Sequence, residues 1–189
     1  MNEIKADLYR YTKRVTLSNF IIAIFKYPSF KYTFCMRVCK KLKRNLFYKY
    51  TFLIPFMFLL RRYRYKYGLQ IPYSLDIAKG LYIVHWGGIV INPNCKIGKN
   101  LTISQGVTLG QTNRGSKKGS PIIGDNVYIG PGAKIIGKIR IGNNCAIGAN
   151  CVVTKDVPDN AVVVGIPGEV ISFNGSEGYI HNQFNNSID

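Results

Sequence analysis

The stretch IGDNVYIGPGAKIIGKIRIGNNCAIGANCVV (123–153) decides the fold, because an aliphatic residue returns at every sixth position: Ile123, Ile129, Ile135, Ile141, Ile147 and Val153. Working outward, the same beat runs through Ile91, Ile97, Ile103 and Leu109, and before that through Ile71, Ile77 and Ile83. Two extra residues separate Ile83 from Ile91, and an insertion, QTNRGSKKGSP (111–121), separates Leu109 from Ile123. Four places after most beats stands a second apolar residue, as at Leu101, Val127, Ala133, Ile139, Cys145 and Cys151. Glycine follows the beat at Gly98, Gly110, Gly124, Gly130, Gly142 and Gly148, where it is expected to permit the turn conformation.

A period of six fits neither an α-helix nor a hairpin meander. It fits short strands that turn a corner at each repeat, three repeats closing one triangular coil of about 18 residues. The beat residue fills the interior, the second apolar residue packs near the corner, and each coil hydrogen-bonds to the next. The expectation is a mainly β protein, a parallel β-helix of hexapeptide repeats over 68–172. It follows a helical region at 1–67 and precedes a polar tail at 173–189.

The segments IVHWGGIVINPN (83–94), ISQGVTLG (103–110) and IGANCVVTKDVPDNAVVVGIPGEVI (147–171) resemble the left-handed β-helix acetyltransferases of the hexapeptide-repeat superfamily. The resemblance covers about 68–172. It is strongest to the serine acetyltransferase branch and to its relatives that acetylate bacterial surface polysaccharides. It implies a left-handed β-helix, a homotrimer, and acetyl-CoA as a donor whose acetyl group passes directly to a hydroxyl, without a metal. A zinc-dependent β-helix hydratase is excluded, because three histidine ligands are needed and His85 is the one histidine in the repeat.

His85 precedes Trp86, Gly87 and Gly88 where the two extra residues break the rhythm. A local bulge is expected there, and bulges re-aim side chains into sites. Either His85 is a surface imidazole or it is the general base. An imidazole with a pKa near ~6.5 is suited to take a proton from an attacking hydroxyl. Cys95, Cys145 and Cys151 occupy inward positions and read as core fillers rather than acyl carriers. By resemblance the pantetheine arm of coenzyme A passes Gly130, Pro131 and Ala149, and Thr154 and Lys155 lie near the nucleotide end. Otherwise these are turn residues of the solenoid. The insertion 111–121 arches over a neighbouring subunit in the family, so Arg114, Lys117 and Lys118 are candidates for donor phosphates or an anionic acceptor. The alternative is a solvated loop.

Four positions depart from the serine acetyltransferase pattern. Those enzymes recognise serine with a histidine and an arginine in the inserted loop, where this chain has Ser120 and Gly119. Aspartates expected before the catalytic histidine and as its orienting partner fall on Val84 and Gln70. Loss of groups that pair with a charged acceptor lowers discrimination for it. A sugar hydroxyl in a surface polysaccharide or its lipid-linked precursor is therefore the expected acceptor, with Trp86 either stacking on the sugar ring or filling the bulge. The alternatives are a soluble small-metabolite enzyme of the serine type and a non-catalytic trimeric membrane-bound scaffold.

Charge divides the chain. The formal net charge is +17, of which residues 1–67 carry +14 and residues 68–189 carry +3. The segment KYTFCMRVCKKLKRNLFYKYTFLIPFMFLLRRYRYKYG (31–68) interleaves cationic clusters with aromatic and apolar ones. That is the composition of an element lying on an anionic membrane surface, or of a helical cap that buries its aromatics against the β-helix and its neighbours. The longest uncharged apolar run, Tyr50 to Leu60, spans ~16 Å as a helix against a hydrocarbon core of ~30 Å, too short to cross. No nucleic-acid-binding motif accompanies the charge. Met1 to Arg14 lacks the apolar run of a secretory signal, and five cysteines make no metal spacing. The expected location is cytoplasmic, peripheral on the inner face of the cell membrane.

Overall fold

A computed structural model describes residues 3–44 and 46–184. Five helices come first: α1 (Glu3–Thr12), α2 (Leu17–Lys26), α3 (Pro28–Leu42), α4 (Leu46–Thr51) and α5 (Leu53–Tyr67). Local chemistry sets their ends. Thr16 caps α2 by accepting from the Asn19 N–H at 3.2 Å. Pro28 opens α3 at a position where its missing N–H breaks no helical bond. Pro55 falls in the first turn of α5, again without breaking a bond. Gly68 closes α5 in the left-handed conformation, φ 61°.

From Leu69 the chain winds into a three-faced prism of parallel strands. The first face stacks β1 (Leu69–Gln70), β4 (Ile89–Ile91), β7 (Thr108–Gly110), β10 (Lys134–Ile136) and β13 (Val152–Val153). The second stacks β2 (Asp76–Ile77), β5 (Lys96–Ile97), β8 (Ile122–Ile123) and β11 (Arg140–Ile141). The third stacks β3 (Tyr82–Ile83), β6 (Thr102–Ile103), β9 (Tyr128–Ile129), β12 (Ala146–Ile147), β14 (Val162–Val164) and the antiparallel β15 (Glu169–Ser172). Beat residue sits over beat residue: Ile77 on Ile97 on Ile123 on Ile141, and Ile83 on Ile103 on Ile129 on Ile147. All are buried. The Ile77–Ile97 step is lengthened by the bulge at His85, and the Ile97–Ile123 step by the insertion. Both excesses leave at corners, so the register survives.

The beat glycines do a different job from the one expected. None of Gly98, Gly124, Gly130, Gly142 and Gly148 has positive φ. They are small because the next coil lies against them: a Cβ on Gly124 would sit 2.7 Å from the Gly142 carbonyl oxygen, and one on Gly130 2.8 Å from the Ala149 nitrogen. Between the second and third faces the left-handed turn residue is Gly80 in the first coil, φ 86°, and an asparagine in those that follow: Asn100, Asn126, Asn144 and Asn160, with φ of 56°, 56°, 55° and 61°. Asparagine tolerates this conformation. Their amides also form a ladder: Asn100 donates to Asn126 at 3.0 Å, Asn126 to Asn144 at 2.9 Å and Asn144 to Asn160 at 3.1 Å.

A parallel stack leaves raw strand edges at its ends. Helices α1 and α3 cover the first. The Tyr32 hydroxyl donates to the Ile71 carbonyl at 2.7 Å and accepts from its N–H at 3.2 Å. The Tyr11 hydroxyl accepts from the Ile83 N–H at 3.1 Å. Arg37 donates to the Ile77 and Ala78 carbonyls at 2.8 and 2.6 Å, and to Asp7 at 2.9 Å. Asp7 in turn accepts from the Gly80 and Leu81 N–H groups at 2.9 and 2.8 Å. The apolar core crosses residue 68 without a break: Tyr32, Met36, Leu53, Leu60 and Tyr67 belong to the same cluster as the prism interior. At the far end β15 folds back on β14. The C-terminal tail then runs down the asparagine corner, where the Ser176 hydroxyl donates to the Asn126 carbonyl at 2.7 Å and Phe184 is buried. The last polar residues, 185–189, lie outside the described residues.

Asp7→Asn is expected to lose roughly 3–5 kcal/mol, because it strands the buried Arg37 guanidinium and offers the wrong partner to two N–H groups. Denaturant unfolding of both proteins checks this; a loss within the error of the wild type would show that the clamp is not holding α1 and α3 to the prism.

Candidate active site

Four successive turns form the corner between the third and first faces. They hold His85 and Trp86, then Ser104 to Gly106, then Gly130 to Gly132, then Gly148 to Asn150. Backbone bonds tie them into one edge: Gly106 N–H to Gly87 O at 2.8 Å, Gly132 N–H to Gln105 O at 2.9 Å and Asn150 N–H to Pro131 O at 2.8 Å. His85 therefore stands ~14 Å, three strand spacings, from Ala149 along this edge. The two turns farthest from His85 carry no side chain larger than those of Pro131 and Asn150. A long, thin ligand can lie close to the backbone there.

The expected bulge is present. Ile83 to Val90 spans two residues more than Ile103 to Thr108, its partners in the next coil. Gly87 and Gly88 absorb the excess at φ of 113° and 64°. The His85 imidazole is exposed and makes no hydrogen bond to another described residue. Trp86 is half exposed, its indole edge-on to Tyr67 with ring centroids 6.2 Å apart. The bulge also rests on the helical region: the Ile89 N–H donates to the Gly68 carbonyl at 3.2 Å, and a Cβ on Gly68 would come within 3.1 Å of the Gly88 nitrogen.

The remaining candidates sit on a different corner. Thr154 and Lys155 follow β13, whereas Ala149 precedes it, so the first face separates them. Both are exposed. The insertion leaves from the same corner as Thr154 and folds as a hairpin, with Thr112 bridging Gly119. Lys118 is exposed. Lys117 is committed within the chain: its ammonium bonds Asp156 at 2.9 Å and, with the Arg140 N–H, holds that carboxyl below the usual range. One cation was missed in the sequence. Lys134, on the outward side of β10, folds back to donate to the Gly106 carbonyl on the His85 edge. Its place just before a beat residue gave its outward direction but not the carbonyl it reaches.

A family pattern described as bacterial transferase hexapeptide (six repeats) matches residues 120–155. A serine acetyltransferase of Staphylococcus aureus (strain Mu50) is 48% identical over 112 residues, 59% of this chain and 53% of the relative. The chain thus spans about half the length of the curated relatives it matches. The structure of Neisseria gonorrhoeae serine acetyltransferase in complex with serine superposes with a TM-score of 0.72 at 31% identity, covering 90% of this chain and 68% of that one. The chain belongs to the serine acetyltransferase-like branch of the hexapeptide-repeat acetyltransferases. Its prism is the left-handed β-helix of that family. A serine acetyltransferase structure in complex with CoA superposes with a TM-score of 0.71 at 27% identity, over 89% of this chain and 68% of that one.

Within this acetyltransferase fold, the four departures from the serine-binding pattern have definite surroundings. The Ser120 hydroxyl donates to Asn92 at 3.1 Å. Gly119 sits at φ 132° in the hairpin bridge. Gln70 is exposed on β1 beside Val90, and Val84 is half-buried. The cysteines are inward, as expected. Burial pushes the Cys95 thiol up to about 11 and raises Cys145 and Cys151. Burial likewise holds Cys35 and Cys39, in α3, up at about 12 and about 11. Thiols so raised are poor nucleophiles at neutral pH.

Iodoacetamide at pH 8 is therefore expected to label none of the five cysteines in the native protein and all of them in denaturant, as read by intact mass. Native labelling of Cys145 or Cys151 with parallel loss of turnover would point to an acyl-enzyme instead.

Proposed function

We propose that this chain is an acetyl-CoA-dependent O-acetyltransferase, active as a homotrimer, with His85 as its general base. The observation that carries the proposal is an exposed imidazole held on a glycine bulge at the end of a strip of small residues. His85 takes the proton of the acceptor hydroxyl as its oxygen attacks the thioester carbonyl carbon. The tetrahedral intermediate collapses, the carbon–sulfur bond breaks, and the thiolate of coenzyme A leaves with its electron pair. The imidazolium returns its proton to the sulfur or to solvent. Raised, buried thiols support direct transfer over an acyl-cysteine route.

The CoA complex of the neighbouring structure supports coenzyme A as the donor; on this chain the small residues Gly130, Pro131 and Ala149 offer a bed for its pantetheine arm, with the exposed Thr154 and Lys155 toward the nucleotide. Lys155 would act there as a point cation. The split of these residues between two corners supports the trimer. Three prisms packed about a threefold axis set one corner of each beside the other corner of the next, and the hairpin 111–121 then reaches a neighbour's His85. Five free cysteines support a reducing, cytoplasmic setting.

For the acceptor, the relatives support a small hydroxyl metabolite of the serine type. The staphylococcal relative is named serine acetyltransferase, and the gonococcal structure is a complex with serine. Neither name refers to a polysaccharide, so the glycan acceptor expected from the sequence gains no support from them. One observation favours it as a second reading: Gln70, Val84, Gly119 and Ser120 are all uncharged, and an amino-acid zwitterion needs partners of both signs.

His85→Ala is expected to lower kcat by roughly 10²- to 10⁴-fold while leaving CoA affinity unchanged. Thiol release in steady state, with calorimetry for CoA, checks this, and a variant retaining near-normal turnover would overturn the mechanism. Release of coenzyme A against matched L-serine and neutral-sugar acceptors separates the two acceptor readings. Serine-type chemistry predicts a far larger kcat/KM for serine, and the reverse order would establish the uncharged acceptor.

A further inference from the structure

Between Asp7 and Asp76 the chain contains no Asp or Glu, yet it carries fifteen Lys and Arg residues. The structure shows where this charge goes. Arg10 and Arg37 are buried in the helical cap. Most of the others remain outside, and four of them, Arg61, Arg62, Arg64 and Lys66, crowd the C-terminal half of α5. The N-terminal half of α5 and the preceding α4 have the opposite character. Leu46, Tyr50, Phe52, Ile54, Met57 and Phe58 are 72%, 69%, 50%, 53%, 41% and 68% exposed. Along α5, Leu53, Leu60 and Tyr67 alone are buried; they lie one heptad apart and make a single seam on the side packed against α3 and the first coil.

This is amphipathicity along the helix axis: an apolar tip followed by a cationic collar. Isolated exposed apolar residues need no explanation, but a contiguous set of this size marks an interaction surface. A cleft of about 460 Å³ opens beside it, between α5 and the first coil, lined by Ile54, Met57, Phe58 and Pro72 together with Arg61 and Arg64. It lies on the first-to-second corner of that coil, away from the His85 edge. Apolar walls with two guanidiniums suit an amphiphile that has a hydrocarbon chain and an anionic head.

We infer that α4 and α5 form a membrane-docking tip that dips its apolar residues into the interfacial layer of an anionic bilayer, with Arg61, Arg62, Arg64 and Lys66 on the lipid phosphates. Charge complementarity selects this occupant. An acid-free surface repels another copy of itself, whereas the anionic leaflet attracts it. Among the described residues no helix is long and apolar enough to cross a membrane, so attachment is interfacial. Helix α5 is ~22 Å long and ends against the His85 bulge, so docking would hold the candidate active site within that distance of the lipid surface. The inference goes beyond the proposed acetyl transfer and does not depend on it, because its test reads no turnover.

The test is co-flotation of the full chain with vesicles of phosphatidylglycerol and phosphatidylcholine, and with phosphatidylcholine vesicles as a second arm. The wild type is expected to float with the anionic vesicles, weakly with the neutral ones, and less at high salt. The variant R61Q/R62Q is expected to partition about thirty-fold more weakly, the loss that two basic residues near an anionic surface represent. The variant I54S/M57S/F58S, which alters only exposed side chains, is expected to lose at least about tenfold. Light scattering of each protein without lipid supplies the control for a protein partner. Absence of the wild type from the anionic float, equal flotation of wild type and both variants, or a fall in oligomer mass in either variant would each overturn the inference, the last by showing that the tip packs against another copy.

Discussion

Parallel rungs hydrogen-bond only where each coil sets its inward aliphatic residue over the one below. Ile83, Ile103, Ile129 and Ile147 are one such column, and the site hangs from it. Because the interior fixes the register, any surplus of residues must leave at a corner. The surplus at 84–89 leaves at one corner and exposes His85. The surplus at 111–121 leaves at another and forms a hairpin. A rigid interior thus converts two length irregularities into two surface features, a bulge and a hairpin, at defined positions.

The same stacking creates the problem that the helical region solves. A first coil with nothing beneath it would expose unpaired carbonyl and N–H groups. Asp7, Tyr11, Tyr32 and Arg37 meet those groups one by one, so α1 and α3 act as a polar cap whose apolar side continues the core. Helices α4 and α5 are not consumed by this task. Their outward residues stay apolar at one end and cationic at the other, and α5 ends directly beneath the His85 bulge through Gly68 and Tyr67. The segment thus divides into a buried cap and an exposed tip that is apolar at one end and cationic at the other.

The candidate site is divided between corners that a single chain holds apart. His85 and the small-residue strip lie on one edge; Thr154, Lys155 and the hairpin lie beyond the first face. Within one chain Lys117 answers Asp156 rather than a ligand, and Lys134 supplies the cation on the His85 edge. The uncharged residues at 70, 84, 119 and 120 leave the fold untouched, since none of them fills the interior, whereas the glycines of the small-residue strip are constrained by the coil packed against them.

The six-residue beat by itself determined the prism, its interior and the bulge at His85, because interior packing admits aliphatic residues at one spacing and no other. Composition likewise marked the first 67 residues as a separate chemical environment. Three things were decided only in three dimensions. The beat glycines proved necessary for coil-to-coil contact rather than for turning, since that contact is between residues some 18 positions apart and invisible to local propensity. The asparagine ladder depends on hydrogen bonds between side chains, and the cap on the first coil on bonds from side chains to backbone, in each case between residues far apart in sequence. The partition of the basic, aromatic segment into buried cap and exposed tip depended on which helix faces met the prism, and a periodic pattern with both apolar and cationic residues on every side does not reveal that.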